Sequence, residues 1–374
     1  MHEKITTLMD YVEWSRGAVI GRGSFSTVSL GYVHRGRDGQ HRQQTPVVAV
    51  KSAPLAQSAL LSHENSVLLD LQGCPHVVRC FGDEVAVDAA TGAESYNLFL
   101  EYVAGGSLHD VVRRSCGGSL PEPTVRRYAR SILQGLRFVH AQGYAHCDIK
   151  PQNILVQRDG GGVKIADFGL AKKIGDAAAS GDASMRGTPL YMSPESATRS
   201  EHGAAADVWS VGCVVAEMAS GRPPWKCSGE GGVWELVVRI GHGDEVPEIP
   251  SELSEEGKDF LRWCFVKDPA KRWTAEMLLQ HPFMEIEDEQ VEASAINDLN
   301  GCSSMKTSPR SVVFGLCRWV SPTSASWNSI VNASTAFESV EGGTTDSSAL
   351  PSPADRIKEL ATTQWPNWSY DGWI

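Results

Sequence analysis

His146-Cys147-Asp148-Ile149-Lys150-Pro151-Gln152-Asn153 is followed, fourteen residues after the asparagine, by Asp167-Phe168-Gly169. The acid, the lysine two places on, the asparagine and the later acid form a chemical set. Asp148 can accept or orient a hydroxyl proton, given hydrogen-bond reach of that hydroxyl. Lys150 offers a compact cation to a phosphate. Asn153 and Asp167 carry the oxygen donors that Mg²⁺ prefers. Singly, each reads as a capped turn or a solvated acid. In this order and spacing they describe phosphoryl transfer from ATP.

Two further segments join the set. Ile20-Gly21-Arg22-Gly23-Ser24-Phe25-Ser26-Thr27-Val28 is glycine-rich. Gly21 and Gly23 let backbone approach phosphates with no Cβ in the way. Such hairpins are common, and Ser26 stands where the usual pattern has a third glycine, so a stiffer loop is expected. Lys51 ends the apolar run Val47-Val48-Ala49-Val50. A lysine there is costly to bury alone, and phosphates plus a carboxylate would satisfy it. Glu64 is the expected carboxylate, with Leu68 one turn later on the same helix face. An ordinary surface ion pair is the alternative.

The elements that must position these residues fall into two groups. Residues 14–103 read as strands: alternation around the glycine turn, the run at 47–50, and Leu98-Phe99-Leu100. Residues 35–44 read as an exposed loop. One helix is expected at 60–71, where Leu60, Leu61, Val67, Leu68 and Leu71 recur at helical spacing. After residue 104 the pattern turns helical. Val125, Tyr128, Ala129, Ile132, Leu133, Leu136 and Val139 follow Pro121 and Pro123 and precede Gly143, which act as start and stop signals. Residues 205–219 and 254–280 read as further helices. The expectation is an α+β, two-lobed protein: a leader at 1–13, a small β-rich lobe at 14–103, and a larger, mostly helical lobe at 104–284. Residues 285–374 are acidic and then rich in Ser and Thr, and are expected to form a largely disordered tail. Five of the eleven tryptophans stand there: Trp319, Trp327, Trp365, Trp368 and Trp373. They read either as local clusters or as anchors for the rest of the protein or a partner.

A net charge of −11 argues against nucleic-acid binding as the main task. Nine scattered cysteines without a C-x-x-C pair argue against zinc and for a reduced, intracellular setting, cytoplasm or nucleus. No secretory signal is evident. His2 stands where myristoylation would need glycine. The apolar run at 208–216 is bounded by Asp207 and Glu217 and is too short for a membrane span.

From about residue 14 to residue 284 the chain resembles the eukaryotic protein kinases. Ser193-Pro194-Glu195 stands where that family has Ala-Pro-Glu. Asp207-Val208-Trp209-Ser210-Val211-Gly212 resembles the long-helix motif that supports the catalytic loop. Arg272, in Asp268-Pro269-Ala270-Lys271-Arg272-Trp273, resembles the partner of Glu195, which implies a buried ion pair. Lys150-Pro151 and Gly187-Thr188-Pro189 resemble serine/threonine rather than tyrosine kinases. Trp14-Ser15-Arg16-Gly17, with the 146–153 segment, resembles plant MAP kinase kinase kinases of the MEKK-like group.

The resemblance implies ATP and Mg²⁺ as cofactors and a protein substrate, a MAP kinase kinase. It implies that Lys51 binds the ATP α/β-phosphates, and that Ile20, Val28, Ala49 and Leu155 surround adenine. It implies Leu100 as gatekeeper, and the Glu101 carbonyl and Val103 backbone on the adenine edge. Ser184 is the expected phosphate acceptor in the activation segment, and Thr188 the expected hydrogen-bond partner of the catalytic loop. One departure stands out: Cys147 replaces the family's arginine, which normally binds a phosphorylated loop. Activation would then depend less on loop phosphorylation or use another cation, such as Arg186 or Lys172. Equally, Cys147 can be a neutral packing residue. The rival function is a pseudokinase scaffold assembling partners through its tail, against which the intact set Lys51, Glu64, Asp148, Asn153 and Asp167 argues.

Overall fold

The computed structural model describes residues 13–23, 26–34, 46–88, 91–158, 160–175, 186–226 and 232–285. The chain divides into two units, Met1–Trp319 and Val320–Ile374, and every described residue belongs to the first. The expectations for residues 1–12, the loop at 35–44, Ser184 and the tail beyond Glu285 lie outside the described residues.

Strands β1 (Glu13–Arg22), β2 (Thr27–His34), β3 (Val47–Pro54), β4 (Cys80–Val87) and β5 (Glu94–Glu101) form one antiparallel sheet in the order β1-β2-β3-β5-β4. Side chains alternate between its faces, so Ala49 and Lys51 share one face while Val48, Val50 and Ser52 take the other. Register places Gly21, Val28, Lys51 and Leu98 in one row across four strands. Ala49 lies opposite Leu100. β4 carries no clear alternation, and Gly82 breaks it at a register shift opposite Phe99 and Leu100, so the sequence reading missed it.

Helix α1 (Ala59–Asp70) buries Leu61, Glu64, Val67 and Leu68. Leu60, expected on that stripe, is 42% exposed. A stripe running through 61, 64 and 68 at 3.6 residues per turn leaves position 60 outside it. Glu64 occupies the stripe because it has a cation to meet there.

The remaining helices are α2 (Leu108–Arg114), α3 (Glu122–Ala141), α4 (Pro194–Arg199), α5 (Ala204–Ser220), α6 (Gly232–His242), α7 (Glu255–Cys264) and α8 (Ala275–Leu279). Pro123 sits in the first turn of α3, and Gly143, at φ 77°, follows its end. The expected helical span 254–280 is two helices, with Pro269 and Arg272 in the connection between them. α5 is buried nearly all round, as a helix central to a core must be. No helix among the described residues is long and apolar enough to cross a membrane.

Two small sheets frame the chemistry. β6 (Tyr144–Ala145) pairs with β9 (Lys172–Lys173), and β7 (Ile154–Val156) pairs with β8 (Val163–Ile165). Residues 146–153 span β6 to β7 and residues 166–171 span β8 to β9. The two motif-bearing loops are thus held at both ends by the same pair of ladders.

Candidate active site

Lys51 Nζ donates to Glu64 Oε2 at 2.6 Å and to Asp167 Oδ1 at 2.8 Å. Burial alone would favour a neutral amine, but the two carboxylates outweigh it and raise the Lys51 pKa. Burial likewise opposes ionisation of Asp167, although 48% of its side chain is open to the cleft. Lys51, with help from Lys150, holds that carboxyl below its ordinary value. Glu64 Oε1 accepts from the Phe168 amide at 3.2 Å, so α1, β3 and the Asp167-Phe168 turn meet at one carboxylate.

A second cluster forms around Asp148. Lys150 Nζ lies 2.7 Å from Asp148 Oδ2. The Thr188 hydroxyl donates to Asp148 Oδ1 at 2.8 Å and accepts from Lys150 at 2.8 Å. Asn153 Nδ2 donates to Asp148 Oδ2 at 3.0 Å and to its carbonyl at 2.9 Å.

The loop under this cluster is strained and pinned. Cys147 and Asp167 adopt φ of 67° and 66°, which non-glycine residues rarely do. Asp207 of α5 holds the first of them: its carboxylate accepts from the amides of His146 at 2.8 Å and Cys147 at 2.9 Å, and bonds His140 at 2.9 Å. Burial would raise the Asp207 carboxyl, but the His140 hydrogen bond and the His146 amide outweigh it and lower it. His146 joins the two loops. Its Nδ1 accepts from the Asp148 amide at 3.2 Å, so Nε2 carries the proton given to the Ala166 carbonyl at 3.1 Å. Gly187 must be glycine: a Cβ there would lie 2.5 Å from the Cys147 carbonyl oxygen.

Burial drives the Cys147 thiol upward, as does Asp207, while Arg186 and Lys172 pull it down. The thiol is therefore neutral, and both candidate cations act on it electrostatically.

The residues expected on the nucleotide side have these environments. Ile20 and Val28 are partly buried against the core, Ala49 and Leu100 are buried, and Val103 and Leu155 are half-buried. Glu101 has its side chain tied by Lys164 at 2.7 Å and its amide bonded to the Arg79 carbonyl at 2.8 Å. The sequence reading missed Lys164; a lysine in an otherwise apolar three-residue strand was its signal. Also missed was His63, whose Nε2 meets the Ala171 carbonyl at 2.8 Å, and the pair Tyr191–Glu217, at 2.7 Å. Glu217 had served in the sequence only as the boundary of an apolar run.

The residues fit the ligands their types imply. A Cβ on Gly21 would meet nothing nearer than 3.7 Å and one on Gly23 nothing nearer than 3.4 Å, and neither has a positive φ. Among the described residues nothing demands glycine there, which leaves the backbone open to the approach of an external group. Among the described residues no three His, Cys, Asp or Glu side chains form a metal cage. Mg²⁺ needs none, since one or two protein oxygens beside phosphates and water suffice. Asn153 and Asp167 are such donors.

A strand-rich lobe and a helical lobe that bring these groups together define an ATP-dependent phosphotransferase of the protein kinase type. The protein kinase domain family matches residues 14–284, and the chain belongs to that family. It is 44% identical over 369 residues to mitogen-activated protein kinase kinase kinase 20 of Arabidopsis thaliana, covering 97% of this chain and 99% of that protein. To mitogen-activated protein kinase kinase kinases 17 and 18 of the same plant it is 38% and 39% identical over 274 and 277 residues. Those matches cover 73% of this chain and 70% and 78% of the relatives.

Proposed function

We propose that this serine/threonine protein kinase acts as a MAP kinase kinase kinase, transferring the γ-phosphate of ATP to hydroxyls in the activation loops of MAP kinase kinases. The observation that carries the chemistry is Lys51 bonded at once to Glu64 and Asp167. The substrate class is supported by the relatives' names, above all the one matched along nearly its whole length.

In this reading residues 14–103 and 104–284 are the two lobes and the cleft between them takes ATP. Ile20, Val28, Ala49 and Leu155 contact adenine, with the Glu101 carbonyl and Val103 backbone on its edge. Gly21 and Gly23 bring backbone amides to the phosphates, and Lys51 leaves Asp167 to bind the α/β-phosphates while Glu64 keeps it aligned. Asn153 and Asp167 hold Mg²⁺, which when bound neutralises charge on the β- and γ-phosphates. Asp148 releases Thr188, accepts the acceptor hydroxyl and orients its oxygen toward phosphorus. Lys150 stabilises charge on the transferring group. Catalysis is mainly positioning and fixed electrostatics. Residues 285–374, with Ser184 in the activation segment, are the regulatory parts, and the tail's tryptophans serve partners or the kinase surface.

The test is to incubate the purified protein with ATP and catalytically inactive MAP kinase kinases, then map phosphosites by mass spectrometry. Phosphate on their activation-loop serines or threonines, absent with Lys51→Met, is expected. Equal signal from wild type and Lys51→Met would instead mark a scaffold without turnover.

A further inference from the structure

The Trp14-Ser15-Arg16-Gly17 segment has no part in the chemistry above, yet its side chains span the sheet. β1 and β4 are the two edges of the order β1-β2-β3-β5-β4. Strands lie about 4.8 Å apart, so in a flat sheet these edges would be separated by roughly four such steps. Trp14 Nε1 of β1 nevertheless donates to Glu84 Oε1 of β4 at 2.9 Å. The sheet therefore curls, and on the face opposite Lys51 its edges are clasped by one side chain.

The ring of Trp14 packs edge-on to Phe99 at 5.2 Å over a small core of Val48, Val50 and Phe99. Arg16 follows the same path: it donates to Ser52 Oγ at 2.9 Å and to Asn97 Oδ1 at 2.8 Å, and Ser52 itself donates to Asn97 at 2.7 Å. Both side chains pass over β2 because Arg16's cross-strand partner is Gly31. A Cβ on Gly31 would stand 2.7 Å from Val50 Cγ2 and 3.6 Å from the Trp14 ring.

This strap joins the strand that carries the glycine turn to the residue next to Lys51. The β1–β2 ladder is irregular between the strap and the turn, its register shifting between Arg16 and Val19 and again between Val19 and Gly21, so the strap adds a second tie to the pairing of Gly21 with Val28. We propose that Trp14 and Arg16 are positioning residues for ATP, setting the glycine-rich strand against Lys51 from the far side of the sheet. Neither touches the nucleotide; they act through Gly21 and Ser52.

The proposal rests on reading the cleft as an ATP site, and Lys51→Met, run alongside, tests that reading separately because it should abolish turnover whatever the strap does. The full chain is assayed with a protein substrate, measuring KM for ATP, kcat at saturating ATP and the melting temperature. Arg16→Met and Trp14→Phe each keep bulk and remove donors. Each should raise the ATP KM roughly three- to tenfold, the scale of one net hydrogen bond, with kcat within about twofold, and Arg16→Lys should recover most of the loss. Ser52→Ala removes one acceptor at little cost in packing and should move KM the same way, which keeps the test open if Arg16→Met fails to fold. An unchanged ATP KM in Trp14→Phe and Ser52→Ala, or a loss confined to kcat or melting temperature, would overturn the proposal and leave the strap a fold element.

Discussion

Lys51 is held by two carboxylates in a site where a lone ammonium would be expelled, and that is where the residue-scale predictions begin. Lys51→Met removes the cation and leaves Glu64 buried; kcat should fall by at least about 10²-fold in a phosphotransfer assay, with the circular-dichroism spectrum retained. Arg272 is the structural counterpart. Its guanidinium makes a two-pronged pair with Glu195 at 2.6 and 3.0 Å and gives further bonds to the carbonyls of Val266, Ala205 and Lys267. Arg272→Met leaves Glu195 charged and buried, a loss of about 3–5 kcal/mol, read as a large drop in melting temperature. Both pairs were legible in the sequence, Lys51–Glu64 from a lysine stranded on an apolar strand and Glu195–Arg272 from the family pattern. The pairings of Lys164 and His63 were not legible. Their partners are a side chain 63 residues away and a carbonyl 108 residues away, and no local period encodes such pairings.

At the scale of elements, α1 is fastened along its length. His63 reaches the Ala171 carbonyl, Glu64 reaches Lys51 and the Phe168 amide, and Asp70 accepts from the Tyr144 hydroxyl at 2.6 Å. These bonds run between groups of the chain itself, and Cys147 supplies no cation to receive a phosphate. Phosphatase-treated protein should therefore keep its rate within about threefold of the autophosphorylated form; a large gain on phosphorylation would refute this. α5 meets the segment before α4 through Tyr191, whose hydroxyl donates to Glu217 Oε2. Burial raises the Glu217 carboxyl to about 7 from an ordinary 4.5. The folded state thus holds a proton that the unfolded chain releases between those values. Its stabilising contribution is complete below 4.5 and is lost as pH rises through about 7. Glu217→Gln should match wild type in thermal stability at pH 5 and exceed it at pH 8.5 by up to about 3 kcal/mol. The long periodic helices α3 and α5 could be read from sequence because their apolar repeats are sustained. α2, α6 and β4 could not: they are short or interrupted, and tertiary packing decides them.

In the whole molecule, one buried core runs from the sheet's inner face through α3 and α5, and the two reacting clusters meet where the lobes do. Lys51 comes from the strand lobe, and Asp148, Lys150, Asn153, Asp167 and Thr188 come from the helical one. ATP held by Lys51 of one lobe and by Asn153 and Asp167 of the other would tie the two together, so it should slow exchange of the residue 166–171 amides in hydrogen-exchange measurements. The strand-then-helix order was visible in the apolar periodicity; the clasp between the sheet's edges was not, because Trp14 and Glu84 stand 70 residues apart. The most direct measurement of the whole arrangement is the rate of γ-phosphate transfer from labelled ATP to a MAP kinase kinase by wild type and by Asp148→Asn. Asn at 148 preserves shape and removes the proton acceptor. A loss of at least about 10²-fold in kcat with ATP affinity unchanged is expected; equal rates would contradict a transfer centred on Asp148.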